Sequence, residues 1–190
     1  MNRTRMEEGI RIFLEGILDG GDIPARDADE LLASTPRRVA SAFADDLLAG
    51  TGEDASRHLE PMTLHQAAGP VLLRDVRFTS VCAHHLLPYR GVAHIGFVPA
   101  DRHVGLGGIA RLVDSLGRRL TLQEPLTASI AEHMHAALAP RSVIVVLVAE
   151  HLCLSVRGAR KTGHRLVSVE RRGRRDETLE TFAAGLGFPR

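Results

Sequence analysis

The chain has 190 residues, a formal net charge of +1 and an apolar fraction of 44%. That length fits one domain with an appended segment, and so even a charge gives no reason to expect a nucleic acid or a membrane surface as partner. No apolar run approaches the roughly 20 residues that cross a bilayer.

Met1 is followed by Arg3, Arg5, Glu7 and Glu8 with no apolar stretch of a secretory signal, so a cytoplasmic location is expected. Ile10, Phe13, Leu14, Ile17 and Leu18 fall at helical spacing, and Gly20-Gly21 supplies a stop. Thr35-Pro36 reads as a cap and first-turn proline opening a second helix, whose apolar face is Val39, Phe43 and Leu47. Residues 51–62 are polar and read as a connection. Residues 1–62 are therefore taken as an N-terminal helical segment and 63–190 as the main domain.

From about residue 70 the period changes. Val71 to Cys82 is rich in β-branched residues, Gly91 to Val98 alternates as a strand, and Leu86 to Gly91 supplies the turn between them. Ile109, Leu112, Val113, Leu116 and Leu120 then repeat at helical spacing, as do Leu126, Ile130, Met134 and Leu138. Ser142 to Ala149 is a nearly continuous apolar run, the mark of a buried strand. Arg165 to Val169 gives one more strand in a basic stretch, and Asp176 to Leu186 a last short helix. The order is strand-strand-helix-helix-strand-strand after N-terminal helices, an α+β domain with its helices on one face of a sheet.

The two cysteines each sit beside histidines, in Cys82-Ala83-His84-His85 and in Glu150-His151-Leu152-Cys153. A cysteine can be merely a small buried hydrophobe, and a disulfide between the two is conceivable. In a reducing compartment, however, paired Cys and His point to metal or catalysis. Two thiolates and one imidazole suit Zn2+ and leave a fourth tetrahedral position for water, whose pKa the metal lowers to about 7. The same donors accept iron and other divalent ions. If residues 150–158 are extended, His151, Cys153, Ser155 and Arg157 share one polar face. His84 and His151, next to ligands, suit proton transfer. Arg111, Arg157 and Arg160 suit an anionic substrate, although most arginines are only solvated surface. The residues alone give a zinc-dependent hydrolase of a small anionic molecule.

Ser80 to Pro88, Leu122-Gln123-Glu124-Pro125-Leu126-Thr127, Glu150 to Cys153 and Arg157-Gly158-Ala159-Arg160-Lys161 together resemble the signatures of GTP cyclohydrolase I, and Thr35 to Ala40 is similar to that family's N-terminal helix. The similarity runs in order from about residue 30 onward. It implies a tunnelling fold closed into an oligomeric barrel, usually a homodecamer with its active site between subunits. It implies zinc on Cys82, His85 and Cys153, and proton transfer by His84 and His151. Gln123 and Glu124 would recognise the guanine edge, and Arg38, Arg111 and Arg157 the triphosphate. The family reaction adds water at C8, opens the imidazole ring, releases formate, rearranges the ribose and closes 7,8-dihydroneopterin triphosphate.

The chain departs from the family where Gly-Leu-Ser-Lys is usual: it has Gly105-Leu106-Gly107-Gly108. Losing two phosphate contacts weakens triphosphate binding by about two orders of magnitude at roughly 1.5–3 kcal/mol each. Glycines there could instead bring backbone N–H groups to a phosphate, and serine and lysine restored at 107 and 108 are expected to raise activity on GTP. Ser41 stands where lysine is frequent, and Val169-Glu170-Arg171-Arg172 replaces a Thr-Ser segment. Three readings stay open: a GTP cyclohydrolase I, a divergent enzyme acting on another guanine nucleotide or nucleoside or stopping before the pterin ring closes, and a non-catalytic nucleotide-binding subunit.

Overall fold

The computed structural model describes residues 1–21, 23–66 and 68–186. They form two compact units, Met1–Ala49 and Gly50–Arg190. The division falls after Ala49 and not at residue 62, because Ala55 and Leu59 are buried with the core of the second unit.

The first unit is a pair of helices, α1 (Arg3–Leu18) and α2 (Ala25–Ser41). Asn2 caps α1 by accepting the Arg5 N–H, and Gly21 follows it at a φ of +77°, a conformation open to glycine at little cost. The expected start of α2 at Thr35-Pro36 is wrong. The helix begins ten residues earlier and runs through Pro36, which is buried inside it. A proline removes one helical hydrogen bond, so the boundary signal was real, but it marks an interior position here. A wide π turn, Ala42–Leu47, closes the segment with the Leu48 N–H on the Phe43 carbonyl.

The second unit is mixed α/β. After a short 3₁₀ turn at Ala55–His58 come β1 (Met62–Thr63), β2 (Val71–Cys82), β3 (Pro88–Val98), β4 (Arg102–His103) and α3 (Leu106–Gly117). Then follow β5 (Leu120–Thr121), α4 (Gln123–Leu138), β6 (Ser142–His151), the single turn α5 (Leu152–Ser155), β7 (Leu166–Gly173) and α6 (Glu177–Gly185). The main sheet has the order β5-β2-β3-β6-β7, antiparallel apart from the short β2–β5 pairing, and β1 pairs with β4.

Strand alternation divides the core. Val143, Val145 and Leu147 of β6 join Ile95 and Phe97 of β3 beneath α3 and α4, whose Ile109, Leu112, Ile130, Met134 and Leu138 are fully buried. Each such side chain contributes about 1.5–3 kcal/mol by leaving water. Ile144, Val146 and Val148 face the other way, where Leu179 and Ala183 of α6 cover them. The helices thus lie on both faces of the sheet. The expectation of one face fails because the apolar run in β6 has two sides to bury.

Candidate active site

One end of the sheet collects the chemistry. β2 ends at Cys82 and β3 starts at Pro88, with Val81 opposite Pro88. The connection folds tightly: the Cys82 carbonyl accepts the N–H groups of His85 and Leu86, and the Cys82 N–H donates to the Leu87 carbonyl. Leu86 takes a φ of +55° to do this. The turn brings His85 back over its own strand, with Nδ1 3.9 Å from Cys82 Sγ.

β6 reaches the same end two strands away, where His151 is in register with Tyr89 of β3. Beyond it the chain does not stay extended. Leu152 to Ser155 turn helically, and the Ser155 hydroxyl donates to the His151 carbonyl. The expected shared face of His151, Cys153, Ser155 and Arg157 is therefore absent: Ser155 is buried and Arg157 is exposed. The turn carries Cys153 across to β2. Ligand atoms of Cys82, His85 and Cys153 all lie within 4.8 Å of one another.

Two soft thiolates and an imidazole at that separation fit a tetrahedral Zn2+ with one position open, so the residues present suit the metal. Burial first, and then Cys82, push the Cys153 thiol up, while Arg157 pulls it down. Metal binding there displaces protons and tightens as pH rises.

His151 is nearly buried, its ring stacked on Tyr89 with centroids 4.5 Å apart and planes within 3°. Burial lowers its pKa from the usual 6.5, His164 adds to this, and Glu124 opposes it. Burial thus favours the neutral imidazole, the form that can accept a proton. Its main-chain N–H donates to Nε2 of His164, and its Nε2 meets Oε1 of Gln123 at 2.9 Å. Tyr89 is itself fully buried, and its hydroxyl pKa is raised to about 12, first by desolvation.

β5 delivers the remaining residues. Its pairing sets Thr121 beside Cys82, so α4 starts at the site with Gln123 buried and Glu124 exposed in its first turn. His84 is exposed, its ring perpendicular to that of His85 at 6.1 Å. Arg111 and Arg157 are exposed, as is Arg38 on α2 in the other compact unit. Among the described residues no side-chain hydrogen bond or ion pair ties any of these three arginines to the cysteines or to His151. Reading the sequence alone missed Tyr89 and His164. Neither carries a spacing signal, because strand register places one and a loop the other.

The double glycine has an explanation in packing. A Cβ on Gly108 would lie 2.5 Å from the carbonyl oxygen of His58, so the 3₁₀ turn requires glycine there. A Cβ on Gly107 would meet only the mobile end of Arg111, at 3.3 Å. A lysine restored at 108 would therefore have to displace the backbone at His58.

Residues 14–185 match the family model described as GTP cyclohydrolase I. GTP cyclohydrolase 1 of Leifsonia xyli subsp. xyli is 42% identical over 174 residues, covering 90% of this chain and 87% of its own. That of Geobacillus kaustophilus is 38% identical, covering 91% and 89%, and that of Bacillus cytotoxicus 38%, covering 97% and 92%. The apo archaeosine synthase QueF-Like is similar over 58% of this chain and 100% of its own, with a TM-score of 0.49 and 21% identity. With a family match over most of its length and relatives of this identity, the chain belongs to the GTP cyclohydrolase I family.

Proposed function

We infer that the protein is a GTP cyclohydrolase I, a hydrolase converting GTP to 7,8-dihydroneopterin triphosphate and formate. The observation that carries this reading is the approach of the ligand atoms of Cys82, His85 and Cys153 to within 4.8 Å of one another, with the buried His151 two residues from Cys153. Zinc bound by these three residues would supply Lewis acidity that makes water a nucleophile near neutral pH.

The chain's own residues supply the rest. His151 takes up a proton as water adds to the guanine C8 and returns it as the ring opens; the exposed His84, next to the ligand His85 in the chain, serves the second transfer. Glu124 at the start of α4 accepts two hydrogen bonds, from the guanine ring N–H and the exocyclic amine. Arg157, Arg111 and Arg38 meet the triphosphate. We place the chain in a tunnelling-fold homo-oligomer, a decamer by family resemblance, with the site between subunits and the cytoplasm as its location. No described helix is long and apolar enough to cross a membrane.

The glycines at 107 and 108 favour one second reading, a substrate with fewer phosphates, since no side chain at 108 reaches an anion. Mass spectrometry of the zinc-loaded protein incubated with GTP separates the two. Formate and dihydroneopterin triphosphate in equal amounts are expected. Turnover of GMP or guanosine without GTP would replace the first reading by the second. A ring-opened product that accumulates would show that the chemistry stops early, and inertness toward all three would remove the enzymatic reading.

A further inference from the structure

Gln123 is fully buried, and its amide is surrounded on both sides. Its Nε2 lies 3.0 Å from the Leu147 carbonyl oxygen, 3.1 Å from that of Leu166 and 3.0 Å from Ser168 Oγ. Main-chain carbonyls only accept, so this end of the amide is the NH2 group and Oε1 points the other way. Oε1 faces Nε2 of His151 at 2.9 Å. An amide oxygen cannot donate, so the imidazole nitrogen must. His151 is thus protonated on Nε2 and, when neutral, keeps its lone pair on Nδ1.

The neighbouring hydroxyls obey the same polarity. The Thr127 hydroxyl donates to the Gln123 carbonyl at 2.7 Å, and Thr127 Oγ1 lies 2.6 Å from Ser168 Oγ. The Ser168 hydrogen therefore goes to Thr127, and Ser168 Oγ is left to accept from the Gln123 amide. His164 is fixed likewise. Its Nδ1–H donates to the Lys161 carbonyl at 2.6 Å, which leaves Nε2 to accept the His151 main-chain N–H.

We propose that Gln123 is a positioning residue for His151 and not a guanine contact: carbonyls of β6 and of the β7 entry orient its amide, which sets the His151 tautomer and presents Nδ1 as the atom that exchanges the proton. The proposal rests on the reading of His151 as the proton-transfer residue. It assigns the guanine edge to Glu124 without the Gln123 side chain.

Steady-state kinetics on the zinc-loaded protein distinguish the roles. Gln123→Met keeps the side-chain volume and removes the acceptor. It is expected to lower kcat about tenfold or more at unchanged KM for GTP, as loss of a residue that orients a catalytic group does. Gln123→Glu, which protonated keeps both a donor toward the carbonyls and an acceptor toward His151, recovers part of kcat. A rise in KM at unchanged kcat would overturn the proposal, since a lost guanine contact acts that way.

A second readout covers variants that fold poorly or a protein inert toward GTP. Solid-state NMR of histidine-labelled holoprotein is expected to show His151, identified by its loss in His151→Asn, as a single Nε2–H tautomer. In Ser168→Ala, where one of the three amide partners is gone, the tautomer stays single, and in Gln123→Met it becomes mixed. An Nδ1–H tautomer in the unmodified protein would also overturn the proposal. Absence of GTP turnover with the tautomer intact would instead remove the catalytic reading of His151.

Discussion

The two sides of the proposed site are built differently. Around the cysteines and His151, positions come from a strand register, a tight turn and a closed set of buried hydrogen bonds. On the proposed anion side Arg111 and Arg157 are exposed, with no side-chain hydrogen bond or ion pair to the cysteines among the described residues, and the first turn of α3 carries Gly107 and Gly108. The difference separates two physical demands. Proton transfer needs atoms fixed to a fraction of an ångström, which burial and hydrogen bonding provide. A phosphate is met well by long charged side chains that settle when the ligand arrives.

Breaking one side at a time tests this contrast. Cys153→Ser removes a soft ligand from the set of three. It is expected to lower kcat by about a thousandfold or more and to lose zinc on dialysis. Arg157→Ala is expected instead to raise KM for GTP about 10- to 100-fold, the range of a charged hydrogen bond of 1.5–3 kcal/mol, at nearly constant kcat. Equal losses of kcat in both variants would erase the distinction.

The glycine pair sharpens the comparison within the anion side. Gly108→Ala forces a methyl group toward the His58 carbonyl and is expected to cost about 1–3 kcal/mol, lowering Tm by about 2–10 °C in a thermal melt. Gly107→Ser meets only the end of Arg111 and is expected to leave Tm within about 1 °C. Similar melts for both would show that the 3₁₀ turn does not need glycine at 108.

The smallest effect concerns a buried histidine away from the site. The β2–β3 pairing slips between Leu73 and Val76, where Asp75 takes a φ of +60° and donates its N–H to Nδ1 of His94. Burial lowers the His94 pKa below 6.5, with Arg74 adding to this and Asp75 opposing it. The unfolded chain therefore takes up this proton first. The contribution to stability is complete above pH 6.5 and declines as the pH falls toward the folded value. Tm is expected to fall between pH 7 and 5, and His94→Asn to flatten that slope; a slope unchanged in the variant would assign it to other groups, His151 among them.

Much of the site was legible in the chain because ligand chemistry is written in residue type. Cys82 and His85 are three apart, a spacing that a single turn closes, and the scarcity of cysteine makes Cys153 their natural third. The strands and the helices α3 and α4 were legible through apolar periodicity, which follows directly from which face is buried. Helix ends were less so. Pro36 carries a boundary signal that the packed helix overrides. The helical turn at Leu152–Ser155 was hidden in an apparently alternating stretch, since four residues are too few to show a period.

Sequence determined the family, the donor atoms and the order of elements, all of which depend on residue identity or on spacing along one segment. Tertiary structure decided which atoms face one another. Gln123 and His151 are 28 residues apart, and only the β2–β5 and β3–β6 pairings bring amide to imidazole. The direction of that amide, and with it the tautomer, depends on two carbonyl oxygens of the main chain, which every residue carries and no sequence pattern can mark.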